Sequence, residues 1–251
     1  MVLALGYFDG FHLGHMALLN MALSLSKKMN TSSAILTFNE PVKGYINKED
    51  PEYLLTINQK INIASDMGFD SIYIIELTDE FINLSKDEFI DLFLKDMKAI
   101  VVGFDYSYGK GGLGDTSYLK EVLKDKVYII DEVKDNLNQK IGSKRIKEYL
   151  SSGDIEHARS LLGRDYILEG SIHRKNKNYS FNTLNYIPKS GYYKVEVSDY
   201  LNSIIMDAKL KKKLEDKEIL IKTDNIEFSK TKFGKHNRFY LRIIDAIFVK
   251  N

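Results

Sequence analysis

Residues 6–15 read GYFDGFHLGH and follow directly on the short apolar run Val2–Leu5. A buried strand that ends in a glycine-containing turn and then opens a helix is typical of an open α/β sheet, which binds ligands at the carboxyl ends of its strands. Gly10 and Gly14 remove side chains where a backbone must approach a bulky anion. The helix beyond Gly14 offers N–H groups and a partial positive charge to a phosphate.

Two histidines three residues apart, His12 and His15, can both face that phosphate from the first helical turn. This pair suits a reaction in which charge builds on phosphorus-bound oxygens and no protein nucleophile is needed. Asp9 either orients a histidine or meets a magnesium ion, and the sequence leaves both roles open. A capped helix start with incidental histidines is the competing interpretation. The concentration of two histidines and three glycines at one junction disfavours it.

Outward from this stretch, short apolar runs alternate with helical periodicity through the first 165 residues. The predicted strands are Val2–Leu5, Ala34–Phe38, Ser71–Ile75, Ala99–Val102 and Val127–Ile130. The predicted helices cover about residues 14–28, 56–67, 85–96, 116–124, 143–151 and 154–162. This alternation predicts right-handed βαβ units around a parallel sheet, that is, a Rossmann-like α/β domain.

After Gly163 the pattern changes to short runs rich in Tyr, Ile and Val. The predicted strands are Tyr166–Ile172, Tyr192–Val197, Glu218–Lys222 and Phe239–Val249, and a basic helical stretch is predicted around Ala208–Leu214. We therefore expect two domains, an α/β domain over residues 1–165 and a small β-rich domain over residues 166–251.

Composition narrows the class of protein. The 251 residues are 44% apolar and 28% charged, which is the balance of a soluble globular protein. Lys and Arg total 36 against 35 Asp and Glu, so no global electrostatic footprint for nucleic acid or a membrane surface is expected. Cysteine is absent, which excludes disulfides and thiolate chemistry. The N-terminus is interpreted as a core strand rather than a signal peptide, and a cytoplasmic location is expected. The oligomeric state is not predicted.

Two further segments carry glycines or cations. The loop Gly103–Asp115 contains five glycines and Lys110, which can reach an anion, but lacks the Gly-Lys-Ser/Thr ending of a Walker A loop. A flexible lid is an equally good interpretation of this loop taken alone. In the segment Ile141–Lys147, Ser143 can cap a helix, and its basic residues can pair with phosphate oxygens. A solvated basic helix face is the alternative for this segment.

Together the three segments resemble the N-terminal module of the bacterial bifunctional FAD synthetase family, riboflavin kinase/FMN adenylyltransferase. Residues 6–15 resemble its GxFDGxHxGH signature, residues 103–115 its glycine-rich loop, and residues 142–147 its Ser-Ser-Thr-Arg-Ile-Arg segment. The resemblance covers nearly all of residues 1–166. One departure is that the Ser-Ser-Thr of the family reads Gly-Ser-Lys here; another is a lysine in place of the terminal arginine.

The resemblance implies transfer of AMP from Mg-ATP to FMN, giving FAD and pyrophosphate, with Mg²⁺ carried mainly by the ATP phosphates. It implies catalytic roles for His12, His15 and Arg145. It further implies nucleotide-binding roles for Gly6, Phe8, Asp9, Gly10, Gly14, Gly103, Asp105, Gly109, Lys110, Ser143 and Lys147. The expected partners are therefore small molecules, namely ATP, FMN and, in one alternative, riboflavin. No nucleic acid or membrane partner is expected.

In this family the second domain is a β-barrel that phosphorylates riboflavin. Thr183 and Asn185 fall on the residues that the family uses for magnesium and nucleotide phosphate, whereas the neighbouring glycine and proline have become Ser180 and Asn182. The segment that carries the catalytic glutamate is not recognisable. The glutamates Glu196, Glu215, Glu218 and Glu227 are interpreted as solvated residues. The prediction is a vestigial, inactive kinase domain.

Three alternatives stay open. The second domain could retain kinase activity, so that riboflavin goes all the way to FAD. The chain could instead be a flavin- or nucleotide-binding regulator without turnover, although binding alone does not need both histidines. Another transferase with the same histidine motif is disfavoured by the two downstream segments.

Overall fold

The computed structural model describes residues 1–49, 52–175, 178–199, 202–213, 217–225 and 238–248, and its contacts divide the chain into two units. The first unit comprises Met1–Pro51 and Ile57–Ile141. The second comprises Glu52–Thr56 and Gly142–Asn251. Each unit is described below by itself.

The first unit is an α/β fold. Its strands are β1 (Val2–Leu5), β2 (Ser33–Phe38), β3 (Ser71–Ile75), β4 (Ala99–Gly103), β5 (Ser107–Tyr108), β6 (Gly114–Asp115) and β7 (Val127–Ile130). Its helices are α1 (Leu13–Lys28), α2 (Val42–Asn47), α3 (Ile57–Met67), α4 (Asp79–Ile82), α5 (Lys86–Phe89) and α6 (Thr116–Leu123), and α5 continues as a π-helical turn over Ile90–Leu94. The five longer strands form a parallel sheet in the order β3-β2-β1-β4-β7. The predicted parallel sheet is confirmed.

The strand order places a topological switch point beside β1. From β1 the chain winds through β2 and β3 on one side, then crosses back to β4 and β7 on the other. β1 and β4 are paired directly, with Val2 opposite Ala99 and Ala4 opposite Val101. The loops that follow these two strands therefore leave the sheet at neighbouring positions of one edge, which is where open α/β sheets bind ligands.

The central strands are apolar because both faces of this sheet are covered. All four residues of β1 are buried, and so are all six of β2. Leu3, Leu5, Ile100 and Val102 alternate along neighbouring strands and belong to one buried cluster. A parallel strand buried on both faces is expected to be a continuous apolar run rather than an alternating one, which is why β1 was recognisable from sequence.

The second unit is a closed barrel preceded by two helices. The helices are α7 (Ser143–Ser152) and α8 (Ile155–Leu162). The strands are β8 (Tyr166–Lys175), β9 (Asn178–Thr183), β10 (Gly191–Ser198), β11 (Ser203–Lys213), β12 (Glu218–Lys222) and β13 (Phe239–Phe248). They close in the order β10-β11-β12-β9-β8-β13, and the pairs are antiparallel. The predicted β-rich domain is confirmed as a barrel.

One predicted helix is wrong. The basic stretch around Ala208–Leu214 lies mostly in strand β11, and Leu214 is outside the described residues. Met206, Ala208 and Leu210 are buried while Asp207 between them is exposed, so the pattern has the period of two that a strand requires. Lysine-rich composition favoured a helix, but the pairing of β11 with β10 and β12 decides the conformation.

Smaller differences concern helix ends and the division of the chain. Gly142 is the N-cap of α7 and no side chain caps it, so Ser143 is the first helical residue and not the cap that the sequence suggested. Asp154 does cap α8, as predicted, through a bond from the His157 N–H. Helix α8 contacts helix α7 and the barrel strands β8 and β13. Both helices therefore belong to the second unit, and the division between the two units falls between residues 141 and 142. The domain boundary near residue 165 stays a prediction.

Within the part of the chain that the structure describes, we find no helix long and apolar enough to span a membrane.

The π-helical turn offers a matched pair of leucines to test the core of the first unit. Leu94 is 0% exposed and belongs to the buried cluster, whereas Leu92 is 65% exposed. Leu94→Ala should lower the free energy of unfolding by about 2–5 kcal/mol, because it removes buried methyl groups and leaves a cavity. Leu92→Ala should change it by less than about 0.5 kcal/mol. Urea unfolding of both variants checks this, and equal losses would contradict the assigned packing.

Candidate active site

The loop after β1 follows an unusual backbone path. Phe8 and Phe11 adopt positive φ angles of 53° and 41°, and Gly10 between them has a φ of 93°. Non-glycine residues with positive φ are uncommon and persist only where the surroundings hold them. Both phenyl rings are buried, with centroids 5.8 Å apart, and a Cβ on Gly6 would lie 2.9 Å from the Phe8 ring. The aromatic packing therefore requires a glycine at position 6 and anchors the turn.

His12 caps the helix that this loop opens. Its Nδ1 accepts a hydrogen bond of 3.3 Å from the His15 N–H, and its carbonyl accepts from Met16 N–H. An imidazole that accepts through Nδ1 carries its proton on Nε2, so in this ring Nε2–H is the donor. A Cβ on Gly14 would approach the His12 ring to 3.1 Å. Glycine at position 14 thus gives the His12 ring room to fold back over the first turn.

The two histidines lie together, as predicted. Their rings are stacked with centroids 3.6 Å apart and an angle of 17° between the planes. Phe8 meets the His15 ring edge-on at 5.3 Å. In an α-helix the first N–H groups, here those of Leu13 and Gly14, lack intrahelical acceptors. The arrangement offers imidazole donors and helix N–H groups on one turn, which is the chemistry that binds phosphate oxygens.

Lys60 is a residue that site prediction from the sequence missed. It lies on α3 and is 1% exposed, and its Nζ donates a 2.7 Å hydrogen bond to the Tyr7 carbonyl oxygen. Its Nζ also lies 3.9 Å from the centroid of the Tyr7 ring. Burial lowers the pKa of Lys60 to about 8, although the nearby Asp9 carboxylate opposes that shift. The sequence carries no local signal that the ammonium of Lys60 is buried.

The loop Gly103–Asp115 is a structured hairpin rather than a plain lid. β5 pairs with β6, and Lys110 N–H donates to Leu84 O at 2.6 Å. Gly109 has a φ of 71°, and a Cβ there would lie 2.9 Å from Lys86 N. Packing against the start of α5 therefore explains this glycine. Asp105 pairs with Lys140 at 2.5 Å on the surface. Whether Gly103, Asp105, Gly109 and Lys110 meet a nucleotide stays a prediction.

The third segment belongs to the second unit. On α7 the Arg145 side chain turns to Tyr149, with Nη2 3.4 Å from its hydroxyl. Lys147 Nζ donates to the Glu52 carbonyl oxygen at 2.6 Å and lies 5.7 Å from the Tyr186 ring centroid. Two residues along a helix are about 200° apart around its axis, so Arg145 and Lys147 point to different sides of α7. They do not act as one cationic pair in this conformation.

Thr183 and Asn185 lie in a buried hydrogen-bond cluster of the second unit. The Thr183 hydroxyl is 2.8 Å from the Glu169 carbonyl oxygen and 3.0 Å from Asn185 Oδ1. Asn185 Oδ1 also accepts from the Glu169 N–H at 2.8 Å, and Asn185 Nδ2 donates to Leu54 O at 3.1 Å. The Glu169 carboxylate accepts from the Thr56 hydroxyl. The polar atoms of both side chains are thus engaged by the chain itself.

The glutamates predicted to be solvated differ from one another. Glu218 is 5% exposed and accepts from the Ser180 hydroxyl, so the prediction is wrong for this residue. Ile219 and Ile221 on the same strand are fully buried, so the period of two places Glu218 on the opposite face of β12 from these two side chains. Glu196 is partly exposed and pairs with Arg242 at 2.5 Å. Glu215 and Glu227 lie outside the described residues.

Comparisons with known proteins show the family to which the chain is related. A sequence model of the family described as FAD synthetase matches residues 1–145. The bifunctional riboflavin kinase/FMN adenylyltransferase of Listeria monocytogenes is 31% identical over 211 residues, 78% of this chain and 67% of that protein. The protein of the same name from Buchnera aphidicola subsp. Schizaphis graminum is 32% identical, over 79% of this chain and 69% of its own length. A FAD synthetase of L. monocytogenes is 28% identical over 68% of this chain and 72% of its own.

Among solved structures, the fold is similar to a Streptococcus pneumoniae protein whose structure carries the description macrolide-efflux protein. The TM-score is 0.84 at 25% sequence identity, and the match covers 100% of this chain and 86% of that one. Because the whole chain is covered, the likeness extends to both the α/β part and the barrel.

The buried ammonium of Lys60 makes a prediction about stability and pH. Because its folded-state pKa is about 8 and the ordinary value is 10.5, burial of the charge costs stability below pH 8, and this cost fades as pH rises towards 10.5. Wild-type stability relative to Lys60→Met should therefore rise by roughly 1.5 kcal/mol between pH 8 and 9.5, with a limiting slope of about 1.4 kcal/mol per pH unit.

Urea unfolding at these pH values measures the difference. Lys28→Met provides the control, since it removes an exposed lysine of α1 in place of a buried one. A constant difference between wild type and Lys60→Met across this range would contradict the burial of the charged amine.

Proposed function

The chain belongs to the FAD synthetase family, whose reaction transfers AMP from ATP to FMN, and we propose that His12 and His15 carry that transfer in this protein. The observation that carries the proposal is the stacked histidine pair on the first turn of α1, at the edge of the sheet beside the switch point. Preorganised donors in such a position act on charge that develops in the transition state.

The proposed chemistry is an in-line displacement at phosphorus. An FMN phosphate oxygen forms a bond to the α-phosphorus of ATP, while the bond from that phosphorus to the bridging oxygen breaks and pyrophosphate leaves. His12 Nε2–H and the His15 imidazole donate hydrogen bonds to the α-phosphate oxygens as their negative charge grows. The N–H groups of the first turn add to this, since the helix N-terminus attracts anions. No protein nucleophile takes part.

The other predicted nucleotide contacts remain part of the proposal. Gly6, Phe8, Asp9, Gly10 and Gly14 belong to the turn that holds the histidines, and the hairpin of residues 103–115 follows the strand next to β1. Arg145 and Ser143 are proposed for the departing pyrophosphate. Lys147 is the weaker candidate because its ammonium is already bonded to the Glu52 carbonyl.

Mg²⁺ fits the site as a companion of ATP. Among the residues that the structure describes, no three His, Asp or Glu side chains converge to hold a metal ion. Mg²⁺ in nucleotide sites commonly keeps several waters and binds through substrate phosphates and one or two carboxylates. The buried Asp9 would be the residue to reach it, and the ion would neutralise phosphate charge.

For the barrel we propose that riboflavin kinase activity has been lost. The Thr183 hydroxyl and the Asn185 amide are engaged with Glu169 and Leu54, and Ser180 stands where the family has a glycine. A side chain at a glycine position beside a phosphate obstructs the ligand. The retained Thr and Asn favour the second candidate, a bifunctional enzyme that also phosphorylates riboflavin, as in the names of several relatives.

Replacing His15 tests the adenylyl transfer. His15→Ala should lower the rate of FAD formation from FMN and Mg-ATP by at least about 100-fold, because one transition-state donor is removed. The matched control is His157→Ala, which changes an exposed histidine that pairs with Asp154 on α8 and should leave the rate within twofold. Chromatographic quantification of FAD provides the measurement. A His15→Ala enzyme within threefold of wild type would refute the assignment.

A separate assay tests whether the barrel phosphorylates riboflavin. Purified protein that converts FMN to FAD should give neither FMN nor FAD from riboflavin and Mg-ATP over the same period. Conversion of FMN in parallel shows that the preparation is active. Accumulation of FMN, or of FAD, from riboflavin would establish the bifunctional alternative and show that the altered residues around Thr183 still work.

A further inference from the structure

Lys60 has no role in the adenylyl transfer as described above, yet its placement is unusual. Lysine is almost never fully buried unless it is paired, because removing an ammonium from water is costly. Here the residue sits on α3, distant in sequence from the loop after β1, and is 1% exposed. A buried ammonium at this position is therefore expected to interact with polar groups of another segment.

That partner is the turn that carries the histidines. Lys60 Nζ donates to the Tyr7 carbonyl oxygen at 2.7 Å, and the Thr37 hydroxyl donates to the same oxygen at 2.8 Å. Thr37 belongs to β2 and is also fully buried. The ammonium lies 3.9 Å from the Tyr7 ring centroid, and the Asp9 carboxylate attracts it. The Tyr7 carbonyl oxygen is therefore hydrogen-bonded to both β2 and α3.

The residue immediately after that carbonyl is where the strained path begins. Phe8 has a positive φ, and Gly10 and Phe11 follow with positive φ before His12 caps the helix. We propose that Lys60 is a positioning residue for adenylyl transfer, whose ammonium fixes the Tyr7 carbonyl and Asp9 and thereby holds the His12 and His15 rings in place. This inference rests on the proposed function.

Lys60→Met is the central variant, since methionine keeps the unbranched shape and removes the charge and the donor. It should lower kcat for FAD formation on the order of 100-fold, the effect expected when catalytic groups are displaced by about 1 Å, with KM for ATP and FMN within threefold. Lys28→Met on α1 serves as the lysine control and should leave both parameters unchanged. A Lys60→Met enzyme within threefold of wild-type kcat, or a loss expressed only in KM, would overturn the proposal.

Thr37→Val tests whether the effect passes through the shared carbonyl. If Lys60 and Thr37 act on the same oxygen, their effects on kcat should not add, and the double variant should be less impaired than the product of the two single losses. Strictly multiplicative losses would mean that the two residues act separately, and would overturn the route through the Tyr7 carbonyl.

A readout without turnover separates this inference from the proposed function. In folded Lys60→Met, the imidazole NMR resonances of His12 and His15 should shift relative to wild type, while those of His157 in the second unit stay in place. Unmoved resonances would overturn the positioning role even if turnover were lost. If the resonances shift in Lys60→Met but the wild-type protein itself makes no FAD, then Lys60 positions the histidines while the proposed function fails.

Discussion

The carbonyl oxygen of Tyr7 is the point on which the candidate site depends. It accepts hydrogen bonds from Lys60 on α3 and Thr37 on β2, so two separate elements hold the backbone two residues beyond the end of β1. From there the chain takes the left-handed turns at Phe8, Gly10 and Phe11. Such conformations cost roughly 1–3 kcal/mol at each non-glycine residue and persist because packing holds them. The stored strain is located immediately before the helix that bears the histidines.

The proposed phosphate site is built from preorganised parts. The histidine that caps the helix has its Nδ1 occupied by a backbone N–H, which fixes its tautomer and leaves the other nitrogen as a donor. The second histidine stacks on the first and is buttressed by the edge of Phe8. Phosphoryl transfer needs little covalent help from a protein, so positioning and electrostatics of this kind suit the proposed reaction. The geometry of the proposed site is thus set jointly by strand β1, the turn after it and the cap of helix α1.

Much of this could be predicted from the sequence, for identifiable reasons. Val2–Leu5 was recognisable because a strand buried on both faces is continuously apolar, and the glycines and histidines after it marked a phosphate turn. The burial of Lys60 could not be predicted, because it results from a contact between α3 and a turn more than 50 residues earlier. The same holds for the burial of Glu218 on β12 and for β11, whose lysines favour a helix but whose pairing with β10 makes it a strand. Long-range contacts override local composition in each case.

The barrel illustrates how a motif can persist while its surroundings change. Thr183 and Asn185 match the family pattern, yet their polar atoms bond to Glu169 and Leu54 within the same unit. These bonds satisfy both buried side chains, and a buried polar group is costly without partners. The retained Thr and Asn taken alone favour a working kinase, whereas the changes at positions 180 and 182 and the hydrogen-bond partners favour a structural cluster.

The most direct test of the account follows the phosphorus atoms of ATP. Wild-type protein would be incubated with FMN, Mg²⁺ and ATP labelled at the α-phosphate, and in parallel with ATP labelled at the γ-phosphate. The account predicts that the α label appears in FAD in step with FAD formation, and that the γ label is recovered only in pyrophosphate. An α label that stays in ATP or appears only as free AMP, with no labelled FAD, would contradict adenylyl transfer to FMN.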